Sequence, residues 1–276
     1  MNKPFFNDSF TMTIEINSPA GQTRSHRKTV DKTKPAKYTM IVVDIEGTIT
    51  PISFVRDTLF PYLRNNLNSF LKIRWESDAC QNCIRSLVEQ SQNDSEEFPG
   101  FAPITDCTIE SISRYIIAQM DVDRKIAALK EFQGYMWAHA FKSKEIIGVL
   151  FDDIFPTFRK WKQEYGIVLS TYSSGSIAAQ KLLLTHSNFG DLGGTIDHIF
   201  DTTIGLKKES SSYTKILKKC NHRAGDVLFI SDNVEELAAA RDAGMHILLM
   251  IRPGNDPVEQ DTFDSATDIS SLNVGC

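Results

Sequence analysis

The chain has 276 residues, 41% of them hydrophobic and 24% charged, which is room for one large domain or two modest ones of ordinary soluble composition. A formal net charge of -5 argues against a dedicated nucleic-acid binder but leaves open a small anionic substrate held by a local field. No run nears the roughly 18 apolar residues of a membrane span, and MNKPFFNDSF at the N-terminus lacks the apolar core of a secretory signal.

In chain order, residues 1–37 are polar and gather Arg24, Arg27, Lys28, Lys32, Lys34 and Lys37 against Asp31, the pattern of a disordered basic tail. Residues 38–44 read as a buried strand. Residues 55–75 read as a helix with Leu59, Leu63, Leu67, Phe70 and Leu71 on one face, and Pro61 in an early turn or at a kink. Residues 77–103, broken by Asn-Asp-Ser and Pro-Gly, are expected to be loop-rich. Cys80 and Cys83 form a CxxC without further ligands at zinc spacing, so they read as two thiols on a helical stretch. The five cysteines, Cys80, Cys83, Cys107, Cys220 and Cys276, are odd in number and widely spaced, which predicts a reducing compartment, cytoplasm or nucleus, and no disulfide framework.

Helical periodicity returns at 108–120 and 123–142, the second with a stripe of Ile126, Leu129, Phe132, Met136 and Ala140. From Gly166 the pattern changes: a strand to Tyr172, a helix over 176–186, a strand over 227–231, a helix over 234–243 ended by Gly244, and a strand over 246–251. Alternating strands and helices predict an α/β, Rossmann-like parallel-sheet core. The helical block interrupts that pattern after its first strand. The expected division is therefore a core of 38–54 and 151–276 with an inserted, mostly helical cap of 55–150.

Four short stretches carry chemistry. VVDIEGTIT, residues 42–50, ends an apolar strand on Asp44, with Glu46 two places on and Gly47 allowing a tight exit. Two neighbouring carboxylates repel, which favours a division of labour: Asp44 ionised beside a hard cation such as Mg²⁺, and Glu46 acting as acid and base. Tyr172-Ser173-Ser174-Gly175-Ser176 sets hydroxyls and a helix N-terminus at a second strand end, though Ser176 alone reads as an N-cap. Gly205-Leu206-Lys207-Lys208 offers a lysine to a phosphate. Phe229-Ile230-Ser231-Asp232 places another hard ligand, Asp232, just past an apolar strand. Asn233-x-x-Glu236 reads as a capping box, with support of Lys207 as the second reading of Glu236.

In their order and spacing these stretches resemble the haloacid dehalogenase superfamily of phosphatases. Glu46, where most of those enzymes carry Asp, narrows the resemblance to the enolase-phosphatases of methionine salvage. So do LKEFQGYMWAH (129–139), YSSGSIAAQKLL (172–183) and Arg252-Pro-Gly-Asn255. The resemblance implies Asp44, Glu46 and Lys207 as catalytic residues, and Ser173, Ser174 and Lys207 as phosphate contacts. It also implies one Mg²⁺ on Asp44, Glu46 and Asp232, Glu46 by side chain or backbone carbonyl. The implied substrate is a small phosphorylated diketone, with no nucleic-acid or membrane partner and a monomeric chain. The alternative is a Mg²⁺-dependent phosphatase or phosphoglucomutase of the same superfamily acting on another small ester. In the cap, Trp137 or His139 is expected to shape the pocket, and Phe54 to pack against the substrate's thioether.

Overall fold

The computed structural model describes residues 36–97, 102–258 and 263–275; the expected basic tail, up to residue 35, and the Pro99-Gly100 break lie outside them. Met40–Val43 forms β1. Ile52–Phe54 (α1), a π-helical turn over Val55–Leu59, and Phe60–Arg74 (α2) then run on as one helical stretch. Pro61 falls at the start of α2 but inside the continuous stretch, where it has no N–H to donate to the turn before it. The turn before it is widened, with Phe60 N–H bonding Val55 O five residues back, which is how the chain meets a proline here without breaking. Three further helices follow: α3 (Asp78–Glu97), α4 (Ile109–Asp121) and α5 (Ala127–Lys142).

The chain then alternates. α6 (Ile154–Lys160) leads through a π-turn to Gly166, and β2 (Val168–Tyr172) and α7 (Ile177–Thr185) follow. Next come β3 (His198–Phe200), α8 (Ser210–Cys220), β4 (Val227–Ser231), α9 (Val234–Asp242), β5 (His246–Met250) and β6 (Ser265–Ala266). The strands form a six-stranded sheet in the order β3-β2-β1-β4-β5-β6, with every neighbouring pair parallel.

Both sheet faces are covered, which is why β1 and β4 are continuous apolar runs rather than alternating ones. Ile41 and Val43 point into one core cluster, while Met40 and Val42 point into the other with Tyr213 and Ile216 of α8 and Leu237 of α9. The first cluster continues without a break through Phe54 into Leu63, Leu67, Phe132 and Met136 of the helical insert. The helices are thus joined to the sheet by packed side chains.

One expectation is corrected. Residues 77–103 are not loop-rich, because twenty of them form α3. Cys80, Cys83, Ile84 and Leu87 are buried, and Ser91 and Asp94 continue the same stripe. The spacing is helical, but thiols, a hydroxyl and a carboxylate fill positions where a periodicity search looks for aliphatic residues. The two thiols pack inside the helical block, where burial raises both pKa values, that of Cys83 to about 11.

Candidate active site

Register brings the site together. Val43 pairs with Thr171 of β2 on one side and Ile230 of β4 on the other, so the three central strands end level. The residues just beyond those ends, Asp44, Ser173 and Asp232, are delivered to one edge of the sheet, where ligands of open α/β folds bind. Lys207 arrives from the loop after β3. Tyr213 donates its hydroxyl to the Lys207 carbonyl at 2.7 Å and Tyr172 donates to that of Gly205 at 2.8 Å, fixing the loop to its own sheet. Lys208, next in sequence, points to the surface and pairs with exposed Glu235.

Lys207 Nζ lies 2.6 Å from Asp44 Oδ1 and 2.6 Å from Glu236 Oε2. Asp44 Oδ1 also accepts the Ile45 N–H at 2.7 Å. The Asn233 side chain caps α9 by accepting from Glu235 and Glu236 N–H, as the capping-box reading requires. The Glu236 carboxylate, however, turns away to Lys207 and to Ser231 Oγ, which donates at 3.0 Å. The glutamate therefore supports the lysine.

Glu46 faces the other way, accepting from Ser173 Oγ at 3.0 Å. Gly175 N–H donates to that same hydroxyl oxygen at 3.0 Å. Gly47 adopts φ +73, and a Cβ there would fall 2.1 Å from Asp232 Oδ2, so only glycine brings this loop so close to Asp232. Two residues found only by resemblance hold the loop in place: Arg252 donates to Thr48 O at 3.1 Å and pairs with Asp153 at 2.8 Å, and Asn255 donates to Gly47 O at 2.9 Å.

Charge is unbalanced at this edge. Burial, then repulsion from Asp44, raises the Asp232 pKa to about 7 and that of Glu236 to about 7, and it raises that of Glu46 as well. Burial alone would lower the pKa of Lys207, but Asp44 and Glu236 reverse this and raise it. Four carboxylates thus surround one lysine. Among the described residues no three Asp, Glu, His or Cys side chains gather as a ready-made metal centre, and the Glu46 side chain is engaged with Ser173 rather than gathered with Asp44 and Asp232. Beside Asp232, the buried Asn255 Oδ1 has no hydrogen-bond partner. Two hard carboxylates, an orphaned amide oxygen and excess negative charge suit Mg²⁺, which takes one or two protein carboxylates and keeps waters or phosphate oxygens for the rest.

These groups floor a cavity of about 430 Å³ between sheet edge and helices. Phe54, Leu59, Phe60, Leu129, Trp137 and Phe141 make its apolar wall. Trp137 is fixed by its indole N–H donating to Leu59 O at 3.1 Å. His139 is not part of the lining; its ring packs edge-on against Phe70 and Tyr135. Ser174 lines the cavity, and its carbonyl accepts from Lys130 Nζ at 3.1 Å. Ser176 caps α7 through Ala179 N–H at 3.3 Å.

A parallel sheet ending level in an acid-and-lysine floor, under a helical insert, defines a hydrolase architecture, and comparison with known proteins agrees. Residues 38–244 match the haloacid dehalogenase-like hydrolase family. Enolase-phosphatase E1 of Xenopus tropicalis is 40% identical over 247 residues, covering 87% of this chain and 95% of that one. A probable bifunctional methylthioribulose-1-phosphate dehydratase/enolase-phosphatase of Vitis vinifera is 39% identical over 250 residues, 87% of this chain and 48% of that protein. Among solved structures, the UTR4 protein of Saccharomyces cerevisiae superposes with a TM-score of 0.71 at 31% identity, over 85% of this chain and all of that one. The chain belongs to the haloacid dehalogenase-like hydrolases and, among them, to the enolase-phosphatase E1 family.

Proposed function

We propose that this protein converts 2,3-diketo-5-methylthiopentyl 1-phosphate to 1,2-dihydroxy-3-keto-5-methylthiopentene, an acireductone of methionine salvage, by enolisation followed by dephosphorylation. The observation that carries this reading is one cavity lined both by Asp44, Glu46, Ser173, Lys207 and Asp232 of the sheet edge and by Phe54, Phe60 and Trp137 of the helices, groups suited to a phosphate ester with a thioether tail. The Vitis vinifera relative supports it, because its name joins a methylthioribulose-1-phosphate dehydratase to the enolase-phosphatase. Loss of water from that ketose phosphate yields the diketone.

In the phosphatase half, Asp44 attacks phosphorus in line and carries the phosphoryl group as an aspartyl phosphate. Lys207, held between Asp44 and Glu236, neutralises charge on the phosphoryl oxygens, and Ser173 and Ser174 orient them. Glu46, whose raised pKa lets it take up a proton from solvent between the two half-reactions, protonates the leaving oxygen and then takes a proton from the water that hydrolyses the intermediate. Mg²⁺ would be held by Asp44 and Asp232 with the Glu46 backbone carbonyl, and would supply charge neutralisation at the phosphoryl group. Phe54 and Trp137 bury the methylthio end, which selects for an apolar tail.

A phosphate-release panel tests the substrate. The diketo phosphate should be turned over in a Mg²⁺-dependent manner and well above simple sugar phosphates. Equal turnover of sugar phosphates would instead place the protein among general phosphatases of the superfamily.

A further inference from the structure

Enolisation puts negative charge on a carbonyl oxygen, and that oxygen needs a donor aimed at it. The core supplies one lysine to the floor, but Lys207 directs two of its three N–H donors at 2.6 Å to two carboxylates, and the third serves the phosphoryl group in the reaction proposed above. The helical insert adds three cations to the lining: Arg124, Lys125 and Lys130. Arg124 is tied to the buried Asp94 at 2.7 Å, and Lys125 is largely exposed and paired with Asp123. Lys130 differs from both. It is half-buried on α5, and among the described residues it makes no ion pair and one hydrogen bond, to the neutral carbonyl of Ser174 at 3.1 Å. After the hydrogen bonds from Thr203 and the Ile177 N–H, which oppose the effect of burial, Lys130 adds a weak pull toward the ionised form of Asp201, with which it forms no ion pair.

The place where Lys130 lands is specific. Ser173 and Gly175 flank Ser174, and the Glu46 carboxylate is bonded to Ser173 Oγ at 3.0 Å; a Cβ on Gly175 would lie 3.8 Å from Glu46 Oε1. A carboxylate and an ammonium thus converge on one three-residue turn, the first from the core and the second from the insert. Both line the cavity.

We propose that Lys130 is a catalytic residue of the enolisation half-reaction, donating a hydrogen bond to the C2 carbonyl oxygen of the bound diketone. The inference rests on the substrate proposed above. The C1–H bond breaks and its proton passes to the Glu46 carboxylate. Its electron pair forms the C1=C2 double bond, and the carbonyl π pair moves onto oxygen, where the Lys130 ammonium stabilises it. Return of the Glu46 proton to that oxygen gives the enol, with no net gain or loss of protons or electrons. Because the donor comes from α5, enolisation requires the insert in place over the sheet edge, whereas attack by Asp44 on phosphorus uses groups of the core.

The test compares two rates in wild type and in Lys130→Met: enol formation from the diketo phosphate, followed by ultraviolet absorbance, and hydrolysis of p-nitrophenyl phosphate. The ratio of the first to the second should fall about 100-fold in the variant, the order expected for loss of one oxyanion donor. Lys130→Arg, which keeps charge and donors, should recover part of that ratio. If Lys130→Met does not fold, Lys130→Gln, with a neutral donor, carries the same comparison. A ratio unchanged from wild type, or equal losses in both rates with no recovery by arginine, overturns the assignment. Wild type that hydrolyses the ester but never enolises the diketone overturns the substrate reading along with it.

Discussion

Lys207 divides one positive charge between Asp44 and Glu236, and that geometry leaves Asp232 and Glu46 uncompensated. Among the described residues, Asp44 is the only carboxylate that both follows directly on β1 and pairs with Lys207. Asp44→Asn should therefore reduce phosphate release on the order of 10⁴-fold or more while the far-ultraviolet circular dichroism stays that of wild type. Wild-type turnover in that variant would remove Asp44 as the nucleophile. Asp232 makes a second, pH-dependent prediction. Burial and repulsion from Asp44 raise its pKa from 3.8 to about 7, so the folded state binds more protons than the unfolded chain between those values. Stability contributed by its protonated form is complete below the lower value and is lost as pH rises through the upper one. The melting temperature of metal-free protein, taken relative to Asp232→Asn, should fall across pH 4–7, and Mg²⁺ should stabilise wild type increasingly over the same range. A pH-independent difference between the two proteins would show that Asp232 does not titrate there. Asp44 and Asp232 could be singled out in the sequence because each follows directly on a short apolar strand, and Glu46 because it stands two places beyond Asp44. The turn of Glu236 toward Lys207 was not decided there, because Asn233-x-x-Glu236 satisfies a capping box whichever way its carboxylate points.

At the scale of the element, strands were read most easily where both faces are buried. The 227–231 strand of the sequence is β4 to the residue, since a run of five apolar or small side chains between Gly225-Asp226 and Asp232-Asn233 has the length of a buried strand and not of a helix. β3 has three residues and β6 two, too short for any periodicity to register. α3 was missed for a different reason: its buried stripe is written in Cys80, Cys83, Ser91 and Asp94 as much as in Ile84 and Leu87. Its place can be tested through Leu87, which is fully buried against the rest of the insert. Leu87→Ala should cost about 2–5 kcal/mol of unfolding free energy by chemical denaturation, the range for a truncated core leucine. A cost below about 0.5 kcal/mol, as at an exposed position, would contradict a packed α3.

At the scale of the molecule, the helical insert and the sheet share one hydrophobic cluster running from Ile41 and Val43 through Phe54 to Phe132 and Met136. That continuity brings aromatic side chains and the carboxylate floor to the lining of one cavity, which the proposed reaction uses for both steps. The alternation of strands and helices announced the sheet, and the helical block announced an insert. What linear spacing could not carry was the contact between them, because Lys130 and Ser174 are 44 positions apart and meet only when α5 lies over the end of β2. The central claim is that one site performs two steps in order. It is tested most directly by recording ultraviolet absorbance and phosphate release together, in a single stopped-flow reaction of the wild-type protein with the diketo phosphate and Mg²⁺. An enol signal that rises before phosphate appears, and then gives way to that of the acireductone, is the expected result. Phosphate released from the start, with no earlier enol signal, would contradict it.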